Sequence, residues 1–135
     1  MVDKTYESRP QGITSDGVEI WCAVAKTEWG TIPCKYQNGI CIYEHGGKEH
    51  EAKDFTVIKS QMVTREPRGK PHGKVQNRDL WCVVVNTQWG KIPGKAFKDM
   101  CWYTYEGKVH FTKEFVYVYG DVDTIDPVNK DKHKF

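Results

Sequence analysis

The sequence predicts an all-β fold: two tandem four-stranded repeat units packed with pseudo-two-fold symmetry, β-sandwich-like in arrangement. Three observations lead there. Trp21-Cys22 through Phe55 returns sixty residues later, in register and without a gap, as Trp81-Cys82 through Phe115. The matches include Val24/Val84, Thr27/Thr87, Trp29/Trp89, Pro33/Pro93, Lys35/Lys95, Cys41/Cys101, Tyr43/Tyr103 and His50/His110. A fixed period of this kind marks repeated supersecondary units. No stretch sustains a helical period, and the apolar runs are strand-sized and bounded by turn residues.

The elements follow in order. Residues 1 to about 17 read as a polar leading segment. Ile20 to Lys26 reads as a strand, an apolar run with Trp21 near its start. Gly30 to Tyr36 is a second strand; Pro33 inside it implies an edge or a bulge, because proline cannot donate to a ladder. Ile40 to Glu44 is the third, Gly46-Gly47 a hairpin turn, and Lys53 to Ile58 the fourth. The second unit repeats the order: Leu80 to Val85, Lys91 to Ala96, Met100 to Tyr105, a turn at Gly107, and Lys113 to Tyr119. The basic connection from Lys59 to Asn77 reads as an exposed linker, and the polar tail 121–135 as disordered or loosely held. The whole, residues 1–135, reads as one domain, with repeat unit one at 12–62 and repeat unit two at 72–120. Two units of this size would be marginal alone and are expected to share a core.

A net charge of +2 is near balance and argues against a dedicated nucleic-acid binder. No run is long and apolar enough to span a membrane, and Met1 to Pro10 has no secretory apolar region, so a cytoplasmic protein is expected, with release by a non-classical route as the way outside. The five cysteines then read as reduced thiols, with a disulfide inside each unit as the alternative. Cys34 stands apart, since its counterpart is Gly94.

Catalytic signatures are absent: there is no Gly-x-Ser-x-Gly, no phosphate-binding glycine loop and no His-Glu-x-x-His. Metal-ligand spacings such as Cys-x-x-Cys are also missing, and no cofactor is expected. The reading is therefore a two-site binder and not an enzyme. The densest shared block is Trp-Gly-x-Ile-Pro-x-Lys, at Trp29 to Lys35 and Trp89 to Lys95. Glycine bends the chain, proline fixes φ, and the lysine follows at a rigid place, able to donate three hydrogen bonds to hydroxyls. A surface lysine beside a bulge is the plain alternative. Trp29 and Trp89 can stack on a sugar ring or pack in the core. Trp21 and Trp81 read as core. A second shared block, Gly-Lys-x-His, puts His50 and His110 just after a hairpin turn, where bonding to backbone is the simplest role.

At these residues the chain resembles the DM-nine repeat family, found in invertebrate mannose-binding lectins and in the N-terminal part of natterin-like toxins. The second unit carries the resemblance in Ile92-Pro93-Gly94-Lys95, Cys101, Gly107-Lys108-Val109-His110 and Phe115 to Val118. The first carries it in Ile32-Pro33-Cys34-Lys35, Cys41, Gly47-Lys48-Glu49-His50 and Phe55 to Ile58. The Arg-Ala that commonly closes the first strand is absent, and Cys34 replaces a glycine. The resemblance implies recognition of mannose-type glycans at two equivalent sites, with innate immunity as the setting. Lys35 and Lys95 would donate to ring hydroxyls. The acidic partner would fall at Asp16 in the first unit and at Asn77 or Asp79 in the second. Two sites per chain, or a homodimer, would raise avidity. The competing expectation is an intracellular protein-interaction or assembly module without sugar binding, pairing through edge strands or Trp-rich faces.

Overall fold

The computed structural model describes residues 10–58 and 62–119. The leading residues 1–9 and the tail expected to be loose, 121–135, lie outside them. The fold is all-β, as expected. Thirteen strands are described: β1 Gly12–Thr14, β2 Glu19–Thr27, β3 Gly30–Gln37, β4 Ile40–His45, β5 Lys48–Ala52, β6 Phe55–Val57 and β7 Met62–Thr64. After these come β8 Gly73–Val75, β9 Arg78–Thr87, β10 Gly90–Phe97, β11 Met100–Tyr105, β12 Lys108–Thr112 and β13 Val116–Tyr119.

The eight expected strands were too few. Polar KEHEA and KVHFT form β5 and β12, because hairpins at Gly46-Gly47 and Glu106-Gly107 fold them onto β4 and β11. All four turn residues have positive φ, between 52° and 80°, which matches the twist of a tight hairpin. Asn38-Gly39 makes a similar turn between β3 and β4. The fourth strand begins at Phe55, not Lys53, because Lys53 and Asp54 bend away from the ladder. The leading segment contains β1, and the expected linker contains β7 and β8, with His72 and Gly73 buried. Backbone pairing across units, which no local pattern encodes, draws these polar stretches into strands.

Among the described residues the strand pairings are antiparallel, and they close a circuit: β1 pairs β2, β2 pairs β3, β3 pairs β8, β8 pairs β9, β9 pairs β10, and β10 pairs β1. Closure leaves these long strands without open edges. The short strands make the crossings between units: β1 runs into the second (Ile13↔Lys91) and β8 into the first (Thr31↔Lys74). Four glycines permit the approach. A Cβ on Gly90 would lie 2.3 Å from the Ile13 carbonyl, and one on Gly30 would lie 2.2 Å from that of Lys74. Gly12 and Gly73 meet the carbonyls of Lys91 and Thr31 as closely, at 2.4 and 2.3 Å.

The prolines mark where one strand edge changes partner. Along β3, Gly30 and Thr31 pair with β8, whereas Lys35 to Gln37 pair with β4; Pro33 falls between. Pro93 divides β10 between β1 and β11 in the same way. The missing N–H thus sits where neither partner's ladder runs.

The core has three parts. A central cluster joins Cys22, Val24 and Ile58 to their sixty-residue counterparts Cys82, Val84 and Val118. A cluster around Ile32, Cys41, Tyr43 and Phe55 lies on one side, and one around Val83, Val85, Ala96 and Cys101 on the other. Half-buried Trp21 and Trp81 pack against these flanking clusters. All five cysteines are free and buried.

Two residues from segments read as polar hold the centre together. The Cys22 N–H donates to Gln11 Oε1 at 2.8 Å, and the Cys82 N–H donates to His72 Nδ1 at 3.0 Å. Each side chain stands in for a ladder partner, so that two buried backbone donors are satisfied.

Candidate functional site

The Thr-x-Trp-Gly turns are built alike. Thr27 Oγ1 donates to the Gly30 carbonyl at 2.8 Å and accepts from the Trp29 N–H at 3.1 Å. Thr87 does the same with Gly90 and Trp89, at 2.9 and 3.0 Å. This side-chain clamp closes each turn around its tryptophan.

Each tryptophan then caps an aromatic cluster. Trp29 stacks on His45 with centroids 4.2 Å apart, lies 5.2 Å from His50 and meets Tyr43 edge-on at 6.4 Å. Trp89 stacks on Tyr105 at 4.7 Å and lies 5.1 Å from His110. Beneath them, the cross-strand pairs Tyr43–His50 and Tyr103–His110 both stack at 5.2 Å. His50 Nε2 is 3.1 Å from the His45 carbonyl, the backbone role expected of it. Burial lowers the His45 pKa, and the Lys95 charge acts in the same direction, which favours the neutral ring against Trp29. Trp29 is exposed, with 36% of its surface open, although one face is covered by the stacked His45 ring.

The partners of these clusters come from the opposite unit. The Ser15 N–H donates to the Trp89 carbonyl at 2.7 Å, and Thr14 pairs with Gly90. Asp16 is the next residue of that turn. Its carboxylate accepts from Thr14 Oγ1. Val75 pairs with Gly30, the residue after Trp29, and the turn of Gln76 and Asn77 follows Val75 directly. Asn77 is exposed, with φ 65°. Asp79 faces elsewhere: it pairs with Lys74 on β8, and their side chains meet at 3.9 Å on the surface.

Lys35 and Lys95 go to a different place. Lys35 Nζ donates to the Thr104 carbonyl at 2.5 Å, and Lys95 Nζ donates to the Glu44 carbonyl at 2.7 Å. Thr104 and Glu44 are themselves sixty-residue counterparts. Each lysine thus crosses from its own unit to the other. Lys95 also lies 2.7 Å from Glu44 Oε1, while Glu44 Oε2 accepts from the Gly47 N–H at 2.8 Å. Lys35 Nζ sits 5.8 Å from the Tyr105 ring centroid. Burial lowers the Lys35 pKa, and the Glu49 carboxylate partly offsets it. The gap that the lysines share with Pro33, Pro93, Tyr43 and Tyr103 has a volume of about 10 Å³. That is room for about one water molecule, not for a sugar ring.

The structure therefore sorts the predicted residues into two groups. The Trp89 turn is met by the Thr14 and Ser15 backbone that leads to Asp16, and Gly30, next to Trp29, pairs with Val75 two residues before Asn77, so each turn is met by a segment of the other unit. Lys35 and Lys95 come together in the seam. Register separates the groups: Lys95 is four residues, about 13 Å, along β10 from Lys91, while Asp16 lies past Thr14, opposite Gly90. The residues that sequence reasoning missed are His45, Tyr105 and Glu44. The period-two alternation from Tyr43 to His45, and from Tyr103 to Tyr105, could have placed these rings on the face of their neighbours.

Among the described residues there is no group of three or more His, Cys, Asp or Glu side chains able to hold a metal, and no helix long and apolar enough to cross a membrane. Compared with known proteins, the chain matches no family model and no curated protein.

Proposed function

We propose that the chain is a carbohydrate-binding, lectin-like recognition protein for mannose-type glycans, with two equivalent sites in a pseudo-two-fold arrangement. The observation that carries this reading is the twinned turn cluster. Each offers a partly exposed tryptophan, backed by a stacked ring, beside a polar turn from the other unit. A pyranose has an apolar C–H face for the indole and hydroxyls for the turn. Asp16 is an acceptor, and Asn77 both accepts and donates. The sequence resemblance to DM-nine repeats supports the same ligand class.

That resemblance gave the hydroxyl-donating role to Lys35 and Lys95. In this structure a sugar could reach them only by displacing the Thr104 and Glu44 carbonyls, so the tryptophans are the proposed sugar contacts. A glycan array with soluble mannose as competitor tests it. Saturable binding that mannose removes, and that Trp29→Ala with Trp89→Ala abolishes in a folded protein, supports it. Binding kept by that variant and lost with Lys35→Met and Lys95→Met would return the site to the lysines.

One observation favours a second reading, a protein-interaction module. β12 lies at the end of the sheet order, and on it Phe111 is 69% exposed, paired with Trp102. An apolar edge of this kind suits strand addition by another chain. A blank array together with self-association or partner capture that Phe111→Lys removes would favour it.

A further inference from the structure

Glu19, Ile13 and Lys91 stand in one row across three adjacent strands, since Ile13 pairs with Glu19 on β2 and with Lys91 on β10. Directly paired residues point to the same face of a sheet. Trp21 shares that face, two residues along β2. These four residues line an open cleft of about 490 Å³, whose wall also includes Pro10 and Gln11. The volume lies within the range of small-molecule sites. Glu19 and Lys91 are exposed, and Ile13 is 44% exposed between them.

The charges in this row are opposite and apart. Two strand spacings separate the Cα atoms of Glu19 and Lys91 by about 10 Å. Among the described residues neither takes part in an ion pair. The corresponding row around β8 differs. There Lys74 stands where Ile13 does and meets Asp79 at 3.9 Å, and Thr31 replaces Lys91. The second row neutralises itself, whereas the first presents an acid and a base held apart by an apolar strip beside an indole.

We propose that this cleft binds a small zwitterion. Its cation sits against Glu19 and the Trp21 ring, its anion against Lys91, and its carbon linker over Ile13. An aromatic face next to a carboxylate attracts an ammonium group, and a lysine is a point-charge partner for phosphate or carboxylate. A neutral sugar satisfies hydrogen bonds here but leaves the opposed charges uncompensated. The proposal is independent of the glycan reading, which rests on Trp29 and Trp89.

Isothermal titration of the full chain with phosphocholine tests it, with choline, inorganic phosphate and mannose as comparison ligands. The expected result is saturable phosphocholine binding, at least tenfold tighter than choline or phosphate alone. Glu19→Gln and Lys91→Ala, both at exposed positions, should each weaken it at least tenfold, and Lys74→Ala should leave it unchanged. No saturable binding by the folded protein, binding indifferent to Glu19→Gln and Lys91→Ala, or displacement by mannose would each overturn the proposal. A blank glycan array leaves all of these readouts in place, so the two readings fail separately.

Discussion

Lys95 and Glu44 form the charged half of the seam between the units: Nζ is 2.7 Å from Oε1, with side chains only 12% and 9% exposed. The reciprocal contact, Lys35 to Thr104, has no carboxylate, because threonine stands where glutamate does in the other unit. The seam therefore has one largely buried ion pair and one half-buried lysine without a counter-ion in direct contact.

Breaking the pair from one side should be costly. Lys95→Met leaves the Glu44 carboxylate buried without its counter-ion, and a loss of about 3–5 kcal/mol is expected. Glu44→Leu combined with Lys95→Met should recover most of that loss, because two apolar side chains need no partner. Urea unfolding of the two variants and the parent measures it. A single variant as stable as the parent would show that the pair contributes nothing.

Alkaline pH should destabilise the fold through its thiols. Burial raises the pKa of Cys22, Cys34, Cys82 and Cys101, the last to about 12. Above about pH 8.5 an unfolded thiol loses its proton, while these remain protonated in the fold. The unfolded state then binds fewer protons, so stability is full below that pH and falls as pH rises. Each thiol should contribute a slope of about 1.4 kcal/mol per pH unit. Cys101→Ala should remove one such increment from unfolding curves recorded between pH 8 and 10.5.

Lys35 should act in the opposite direction over part of that range. Burial lowers its pKa, so between the lowered value and the usual lysine value of about 10.4 the unfolded state holds the extra proton. Stability rises with pH in that window. Lys35→Met should steepen the alkaline decline seen by the same unfolding measurement. An unchanged slope would mean that Lys35 titrates alike in both states.

The strand crossing should be intolerant at Gly90. A methyl there meets the Ile13 carbonyl at 2.3 Å, and φ is 120°. Gly90→Ala should lower stability by more than about 3 kcal/mol, a large effect for one substitution. Gly46→Ala, with open space around it and φ 67°, should cost only about 1 kcal/mol. Thermal unfolding of the two variants decides it, and equal losses would show that the close approach of β1 to β10 is dispensable.

The sequence by itself determined the all-β class, the long strands β2, β3, β9 and β10, and the hairpins at Gly46-Gly47 and Gly107. These follow from local rules: apolar runs of strand length and glycines that accept positive φ. It also marked Trp29, Trp89, Lys35 and Lys95 as fixed by rigid turns. It did not separate the tryptophans from the lysines, because six residues along extended chain are near in sequence and far apart in space. Only the tertiary structure decided that polar Gly12–Thr14 and Gly73–Val75 are strands. Their hydrogen-bond partners lie on the other unit, where Gly90 and Gly30 leave room for them. It likewise decided that Lys35 and Lys95 meet in the seam and that the Ser15 N–H reaches the Trp89 carbonyl. A residue's neighbour across a closed circuit is set by register between distant strands, and no local pattern records that register.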